Sequence, residues 1–585
     1  SGQQENGSVC VSSRGDDGQI TFRDWHPVGV EEYGYVAPDP LDPDVVYGGK
    51  VSRYDRRTGQ VQQVGPRPLR TADYRTVRTA PVLFSPVNPR KLYFASNVLW
   101  QTVDGGQHWD QISPDLSRER WDTPANVGVY RDAPEAATTR RGVIYTIAPS
   151  PLDERTLWAG TDDGQIHVTR DGGKTWVNVT PPELGPWAKV SLMDASHTSA
   201  GSAYAAINAI RLDDLRPHIY RTRDGGRSWT PITAGIPDGG AINVVREDPT
   251  QRGLLFAGSE QAVYVSFDDG DHWQSLRVNM PPTSIRDLVI KDDDLVAGTH
   301  GRSFWILDDI TPLRQIAAGA LSRATSLFTP QQAWRVRGNK NTDTPLPPDE
   351  PAGENPPEGA ILHYRLAAPA AEVILEVLDR AGAVVRRYSS ADPAEAPVEG
   401  RNIPDYWIRP HRALPASAGL HRFVWDLRHV PPAVSSYSYT MAAVAGATPR
   451  VPQGTLVSPG SYIVRLRVDG AESSAPLVVR MDPRVQTLPA GLQAQYATSR
   501  AINAALTRVA SSLRDVRAAA AGGGARKEAA RTAAAALERA QGQATQLLGL
   551  VDGADLPPTP QLLAAWRATA SAIEAEIAAW ERGNR

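Results

Sequence analysis

Four aspartates recur in one short pattern, Ser/Thr-x-Asp-x-Gly-x-x-Trp, and repeated carboxylates are candidates for catalysis or metal binding. The copies read TVDGGQHW, TRDGGKTW, TRDGGRSW and SFDDGDHW. A carboxylate in such a loop also accepts hydrogen bonds from backbone N–H groups, and glycine permits a positive φ angle. A tryptophan ring favours burial between neighbouring sheets. The pattern therefore predicts a structural turn in preference to a catalytic or metal loop. The residues concerned are Asp104, Trp109, Asp171, Trp176, Asp224, Trp229, Asp268 and Trp273.

A second polar cluster is THGRSFW (299–305). His300 and Arg302 lie at a predicted turn, and an arginine there suits a ligand carboxylate or sugar hydroxyls. Arg302 equally suits an ion pair with Asp308 or Asp309, and the sequence leaves both interpretations open. We carry His300 and Arg302 forward as candidate substrate-binding residues.

A third cluster is GQQENGS (2–8), which is rich in side-chain amides. Gln3, Gln4 and Asn6 either line a carbohydrate cleft or only bond neighbouring strands. They are the remaining candidate substrate-binding residues.

The elements that position these residues repeat along the chain. Ahead of most copies of the aspartate pattern lie a strand, a proline-bearing turn and further short strands, and recurrence at this spacing predicts a four-stranded propeller blade. Residues 2–30 contain only two strands, which we assign as the third and fourth of their unit. Six units and this half unit predict a seven-bladed propeller. The six units are placed at about 36–64, 82–115, 145–180, 190–233, 241–277 and 285–315.

The fold class expected for the whole chain is mainly β. The predicted boundaries are 1–315 for the propeller with an incomplete first blade, 316–358 for a proline-rich linker, 359–485 for a β-sandwich of immunoglobulin or fibronectin type, and 486–585 for a three-helix bundle. The alternation of Phe423, Trp425 and Leu427 with polar neighbours supports a half-buried strand. An apolar stripe from Ile502 to Val516 supports a helix.

Composition excludes several function classes. Among 585 residues, 62 basic and 65 acidic side chains leave a net charge of −3, so no basic field for nucleic acid is expected. No apolar run is long enough to span a membrane. Cys10 is the single cysteine, and neither a His-Glu-x-x-His motif nor a phosphate-binding loop occurs. We therefore expect no metal and no cofactor.

The aspartate pattern resembles the BNR or Asp-box repeats of sialidases, two-propeller xyloglucanases and sortilin-type receptors. The wider sequence is similar to bacterial proteins called sortilin-like or BNR-repeat glycosyl hydrolase-like. The segments that carry this likeness are GQQENGS (2–8), GYVAPDP (34–40), REDPTQRGLLFAG (246–258), THGRSFWILDD (299–309) and FVWDLRH (423–429). A sialidase typically also has an Arg-Ile-Pro motif before its boxes. The only near match, IRP (408–410), lies in the predicted sandwich, so the sialidase interpretation is weak.

The resemblance to xyloglucanases implies a catalytic acid near Glu32. In that family a Gly-Asp-x-x-Gly-like segment at a similar place carries a catalytic aspartate, and Glu32 with Gly34 lies nearest to it here. The alternative is an exposed loop glutamate without a catalytic role. A second acid would come from an opposing propeller.

Two functions follow from the resemblance. The first is an exported protein that acts on or binds carbohydrate, as a glycoside hydrolase if it is an enzyme. The second is a non-catalytic, sortilin-like scaffold that binds a protein. Because residues 2–30 supply only part of a blade, we also expect an upstream propeller segment, or a separate chain, to complete it. A polysaccharide or protein ligand is expected, and export is implied by the resemblance alone.

Overall fold

The structure is a computed structural model. It describes residues 1–3, 5–32, 34–66, 73–120, 123–134, 140–322, 324–338, 347, 349–393, 395, 398, 400–401, 403–411, 413–440, 444–522 and 526–583. The chain divides into two compact units. The first comprises Ser1–Ser12 and Arg23–Gly319, and the second comprises Ser13–Phe22 and Ala320–Arg585.

The first unit is built of antiparallel strands paired in chain order. Its strands, with one strand of the second unit between them (β3, Gln19–Ile20), are β1 (Gly2–Gln3), β2 (Gly7–Val11), β4 (Trp25–Pro27), β5 (Val36–Pro38), β6 (Val45–Gly48), β7 (Ser52–Asp55), β8 (Gln60–Gln63), β9 (Val82–Phe84), β10 (Leu92–Ala95), β11 (Leu99–Thr102), β12 (Asp110–Gln111), β13 (Ile144–Pro149), β14 (Leu157–Thr161), β15 (Ile166–Thr169), β16 (Val177–Asn178), β17 (Lys189–Ala195), β18 (Ala203–Asn208), β19 (His218–Thr222), β20 (Thr230–Pro231), β21 (Ile242–Glu247), β22 (Leu255–Ser259), β23 (Val263–Ser266), β24 (Gln274–Ser275), β25 (Ile285–Lys291), β26 (Asp294–Thr299) and β27 (Phe304–Leu307). Helix α1 (Thr311–Ala317) follows the last strand.

These strands form consecutive sheets, which we number I to VII. Sheet I is β1-β2-β4, and sheets II to VI are the four-stranded meanders β5–β8, β9–β12, β13–β16, β17–β20 and β21–β24. Sheet VII is β25–β27. Each of sheets II to VI begins and ends within four residues of one predicted unit, whereas sheet VII begins at the predicted residue 285 but ends at Leu307, before the predicted 315. A series of four-stranded meanders, each packed on the next, is the arrangement of blades in a β-propeller.

Apolar clusters join each sheet to the next. Val30 after β4 and Val46 of β6 share one cluster, and further clusters join the later pairs as far as sheets VI and VII. Sheet I contacts sheet VII through the rings of Trp25 and Phe304, whose centroids lie 6.0 Å apart. Strands of sheets I and VII are not hydrogen-bonded to each other among the described residues.

Sheet I differs from the expectation for residues 2–30. Residues 2–11 form a hairpin of β1 and β2, not one strand, and Gln19–Ile20 pairs with Gly353–Glu354 of the second unit. The turn is closed by the Asn6 N–H, which donates to the Gln3 carbonyl at 3.0 Å, while Glu5 takes φ 64°. Gln3 pairs with Gly7, and Gly7 takes φ 78°, a left-handed conformation that glycine adopts readily.

The second unit contains a β-sandwich and three long helices. Its later strands are β28 (Thr325–Leu327), β29 (Ala333–Arg335), β30 (Gly353–Glu354), β31 (Ala360–Leu366), β32 (Val373–Leu378), β33 (Val384–Ser389), β34 (Gly419–Trp425), β35 (Ser438–Tyr439), β36 (Arg450–Val451), β37 (Gly460–Val468) and β38 (Ala471–Met481). The sheets β28-β31-β34 and β29-β38-β37-β32-β33 enclose one apolar core. Strands β28 to β30 lie within the segment 316–358 that was expected to be a linker.

The helices are α2 (Pro489–Ala521), α3 (Arg526–Val551) and α4 (Pro560–Gly583). They pack around one apolar cluster, and the predicted stripe from Ile502 to Val516 is buried in it. Asp555, after α3, accepts from Arg335 and Arg337 at 2.5 and 2.7 Å, so an ion-pair cluster joins the helices to the sandwich.

Candidate functional site

The four repeated aspartates lie in turns between the third and fourth strands of sheets III to VI, which we call the Asp–Trp turns. In the second of these, Asp171 accepts the Thr175 backbone N–H at 2.9 Å and the Thr175 hydroxyl at 2.7 Å. Thr169 donates to the same carboxylate at 2.8 Å. Corresponding bonds to Asp104, Asp224 and Asp268 occur in the other three turns.

These donors hold the aspartates in the ionised form. Hydrogen bonds from the Thr175 hydroxyl and backbone N–H lower the pKa of Asp171 to about 2. Those from Ser228 lower the pKa of Asp224 to about 2. A carboxylate held in this way is a poor proton donor near neutral pH.

Each tryptophan of these turns bonds the backbone of the preceding sheet. The indole N–H groups donate to carbonyl oxygens at 2.6–2.8 Å, in the pairs Trp109–Val64, Trp176–Ile112, Trp229–Val179 and Trp273–Ile232. The turns thus connect consecutive sheets. Their structural rather than catalytic role stays a prediction.

The opposite side of the first unit carries the connections between sheets and the turns between second and third strands, and we call it the loop face. Successive strands of a meander run antiparallel. The turn between its second and third strands and the connection to the next sheet therefore lie at the same end. Glu32 lies on it, in the connection from β4 to β5. So does the β1–β2 turn.

The structure brings Glu32 to the β1–β2 turn. The Glu5 backbone N–H donates to Glu32 Oε2 at 2.5 Å, and Glu32 is half-buried. Gln3 and Asn6 flank Glu5 and are exposed. Gln4 lies outside the described residues. Glu31 takes φ 73°, a conformation that non-glycine residues rarely adopt and that clusters at functional sites.

His300 and Arg302 occupy the corresponding turn of sheet VII, next to Phe304, which contacts sheet I. His300 Nδ1 lies 3.0 Å from Arg286 Nη2, and Arg286 Nη1 lies 3.1 Å from Glu260. The expected alternative partner Asp309 accepts instead from Thr311, at the start of α1. Within the described ranges, Arg302 forms no ion pair with either Asp308 or Asp309.

The first strands of the sheets carry charged residues that the sequence analysis did not select. Arg246 of β21 lies 3.0 Å from Asp287 of β25 and 3.5 Å from Asp194 of β17. Burial raises the pKa of Tyr35, and Asp287 adds to this effect. Burial also raises the pKa of Asp194. The three charged residues share no local sequence motif, because each lies on a different strand and only the packing of consecutive sheets brings them together.

Those first strands also share a backbone irregularity. The pairing of β13, β17, β21 and β25 with the next strand shifts at the second residue, or in β17 at the third. Two of these bulge residues bond the next sheet, since Ser191 Oγ lies 3.4 Å from the Ile242 carbonyl and Asn243 Nδ2 lies 3.1 Å from the Ile285 carbonyl. The bulges therefore form a second set of contacts between sheets, near their first strands.

In the part of the chain that the structure describes, no group of three His, Cys, Asp or Glu side chains is placed to hold a metal ion. No described helix combines the length and hydropathy needed to cross a membrane.

Comparison with known proteins gives one distant relative. No protein-family model matches the sequence. A xyloglucanase from Paenibacillus sp is 24% identical over 254 residues, covering 38% of this chain and 23% of the relative. The chain therefore spans less than a quarter of the length of the curated relative it matches.

Similar solved structures include two GH74 proteins. The GH74 xyloglucanase from Xanthomonas campestris has a TM-score of 0.37 and 16% identity, covering 83% of this chain and 95% of that one. The GH74 enzyme of Niastella koreensis has a TM-score of 0.35 and 13% identity, covering 81% and 74%. YCF48 bound to D1 peptide has a TM-score of 0.34 and 10% identity, covering 52% and 93%. At TM-scores below 0.5 these similarities have no weight in assigning fold or function.

Proposed function

We propose that the first unit is a seven-bladed Asp-box propeller that acts on carbohydrate as a glycoside hydrolase. In this proposal Glu32 is the catalytic carboxylate. Gln3, Gln4, Asn6, His300 and Arg302 bind the saccharide. The protein is exported, and its second unit consists of an immunoglobulin-like or fibronectin-like sandwich and a three-helix bundle.

The observation that carries this proposal is the contact between Glu32 and the β1–β2 turn. It places a half-buried carboxylate beside exposed amide side chains, which suit sugar hydroxyls. The xyloglucanase relative supports the reaction class, because a xyloglucanase is a glycoside hydrolase, the class expected for this chain if it is an enzyme.

Glycoside hydrolysis generally needs two carboxylates on either side of the scissile bond. The contact with Glu5 is made by its backbone N–H and not by its carboxylate. In this proposal the second acid comes from an opposing propeller.

A partner that completes sheet I also belongs to the proposal. Sheet I has three strands in the described residues, whereas sheets II to VI have four. Closed propellers avoid exposed strand edges, which pair with other chains. An upstream propeller segment or a separate chain would supply the inner strand and the opposing wall of the cleft.

The test is release of reducing ends from a polysaccharide panel that includes xyloglucan. We expect Glu32→Gln to lower the rate at least 100-fold, in line with the contribution of one acid–base group. The matched control is Glu183→Gln, an exposed glutamate of the same unit. Full activity of Glu32→Gln would contradict the assignment. Binding without cleavage by the unchanged protein would favour a non-catalytic binding protein.

A further inference from the structure

Two aromatic residues lie on the loop face at sheets IV and V, apart from the connection that carries Glu32. Tyr130 belongs to a 3₁₀-helical segment (Ala125–Asp132) in the connection from β12 to β13. Trp187 belongs to the connection from β16 to β17. Tyr130 is 74% exposed and Trp187 is half-buried. Both residues are therefore candidates for contact with a ligand on this face.

The segment that carries Tyr130 is fixed to a neighbouring turn. Asn126 Nδ2 donates to the Arg211 carbonyl at 2.7 Å and to Asp213 Oδ2 at 3.2 Å. Both acceptors belong to the turn between β18 and β19 of sheet V. Gly128, with φ 61° and ψ −131°, turns the chain just before Tyr130, and only glycine adopts this conformation readily. The exposed tyrosine is thus carried by a segment that is hydrogen-bonded to sheet V.

Trp187 is hydrogen-bonded to the same group of loops. Its backbone N–H donates to the Asp163 carbonyl at 3.4 Å, and Arg211 Nη1 donates to the adjacent Asp162 carbonyl at 3.4 Å. Arg118, in the connection that carries Tyr130, donates to the Asp163 carbonyl at 2.7 Å. Hydrogen bonds therefore link both aromatic connections with the turns of sheets IV and V.

The backbone at Trp187 is strained. Its φ angle is 72°, a region that bulky side chains rarely occupy and that glycine adopts without steric cost. Strained residues other than glycine cluster at functional sites, where the surrounding structure holds them in place. A tryptophan in this conformation favours a role for the indole ring itself, because the turn alone would be better served by glycine.

The polar groups beside these two residues suit a neutral ligand. Arg211 Nη1 lies 3.4 Å from Asp162 Oδ2, so the charge of this exposed guanidinium is balanced by a carboxylate. Amide and guanidinium N–H groups donate to hydroxyl oxygens, and a carboxylate accepts from hydroxyl groups. Aromatic rings supply rigid apolar surface to the same ligand. This combination matches a sugar ring, which has hydroxyl groups at its edge and an apolar face.

We propose that Tyr130 and Trp187 bind a distant part of a neutral polysaccharide chain whose cleaved bond lies at Glu32. The inference rests on the proposed function for the reaction and adds the length and charge class of the substrate. Glu32 precedes sheet II and Trp187 precedes sheet V, so three sheets of the series separate the two positions. A short oligosaccharide reaches one position only, whereas a polymer lying across the loop face reaches both.

The test compares soluble xyloglucan, the neutral polymer of the cleavage panel, with the single repeat unit obtained from it. Binding is measured by calorimetry in the Glu32→Gln protein, so that cleavage does not shorten the polymer. We expect the polymer to bind at least tenfold more tightly, with a change of less than twofold when NaCl is raised. Equal affinity for the two probes, or no binding of the polymer, would overturn the inference. Tighter binding of polygalacturonate than of xyloglucan would overturn the neutral class.

Variants locate the contact. Trp187→Gly removes the ring from a backbone conformation that glycine adopts readily, and Tyr130→Ala removes an exposed ring. Each change should weaken binding of the polymer at least fivefold. The matched controls are Val278→Gly, which relieves a positive φ of 47° at an exposed residue of the loop face, and Tyr406→Ala, at an exposed tyrosine of the second unit. Losses of the same size in the variants and their controls would overturn the site.

If Trp187→Gly fails to fold, Tyr130→Ala decides, because a side chain that is 74% exposed contributes little to packing. A Tyr130→Ala protein that is folded and binds the polymer with unchanged affinity would then overturn the inference.

Steady-state kinetics separate this inference from the proposed function. With Glu32 intact, Trp187→Gly should raise KM for the polymer and leave kcat within twofold, because binding remote from the cleaved bond is lost. A lower kcat with an unchanged KM would contradict a binding role. Weakened polymer binding in the variants of a protein that cleaves nothing would support the contact and contradict the hydrolase proposal. Cleavage that neither variant changes would do the reverse.

Discussion

At the scale of single residues, two kinds of acidic side chain are distinguished by their surroundings. Asp171 and its equivalents accept several hydrogen bonds inside their own turns. Glu32 accepts a backbone N–H from a different segment and lies among exposed amide side chains. The first environment favours a fixed charge, whereas the second leaves a carboxylate on a surface that a ligand can reach.

Replacement of Asp171 by alanine should lower thermal stability, because the turn loses the acceptor for Thr169 and Thr175. We expect a fall in Tm of about 2–4 °C, the size typical for lost hydrogen bonds in a large domain. Ligand binding and activity per folded molecule should not change. The control is Asp110→Ala, an exposed aspartate of β12. Lost activity with an unchanged Tm would contradict the structural role.

The lowered pKa of Asp171 gives this stability a pH dependence. The folded-state pKa, about 2, lies below the ordinary value of 3.8. The contribution is therefore fully present above about pH 4 and is lost as the pH falls towards 2. Thermal melts of the unchanged protein and of Asp171→Ala, recorded between about pH 4 and pH 2, should converge to the same Tm at the lower pH.

At the scale of elements, the sequence predicted the sheets better than the contacts that join them. The repeated Asp–Gly–Trp spacing and the proline-bearing turns located sheets II to VII, because both signals are local. The bulges at Ser191 and Asn243 were missed, since both strands are buried on both faces and show no alternation that an extra residue would interrupt. The β1–β2 hairpin was missed, although Gly7 permits the left-handed φ angle that it adopts there.

The bulge contacts can be tested at Asn243, which is buried and donates to the Ile285 carbonyl and to Glu260 at 3.1 and 3.0 Å. Asn243→Ala should reduce the free energy of unfolding by about 1–3 kcal/mol, because buried polar partners lose their bonds. Urea denaturation measures the change. The control Asn279→Ala, at an exposed asparagine between β24 and β25, should stay within about 0.5 kcal/mol. Equal losses of unfolding free energy at both positions would show that the bulge contact does not stabilise the fold.

At the scale of the whole molecule, the candidate site could be predicted only in part. Glu32, Gln3 and Asn6 were selected from sequence and lie together. The cavity lined by Lys50, Arg75 and Arg141 was not predicted, because these residues belong to one turn and two sheet connections and share no local pattern. The domain limits stay predictions.

The second unit contains a histidine that links its stability to pH. His429 lies 2.9 Å from the Tyr496 hydroxyl of α2, and burial, with Arg500 adding to it, lowers its pKa to about 4. The unfolded chain takes up this proton near pH 6.5, so stability falls as the pH drops from 6.5 to 4. We expect His429→Gln to flatten this dependence in urea denaturation of the second unit. His411→Gln, at an exposed histidine, should retain it, and a flat profile in the unchanged protein would contradict the link.

The direction of the tryptophan bonds in the Asp–Trp turns has a consequence for biosynthesis. In all four pairs the indole donor comes later in the chain than its carbonyl acceptor, by 41 to 64 residues. During translation, each carbonyl acceptor is therefore synthesised before the indole ring that donates to it. Sheets III to VI can therefore each bond the preceding sheet as soon as they are synthesised, whereas the contact of Trp25 with Phe304 forms only after the last strand of sheet VII has been synthesised.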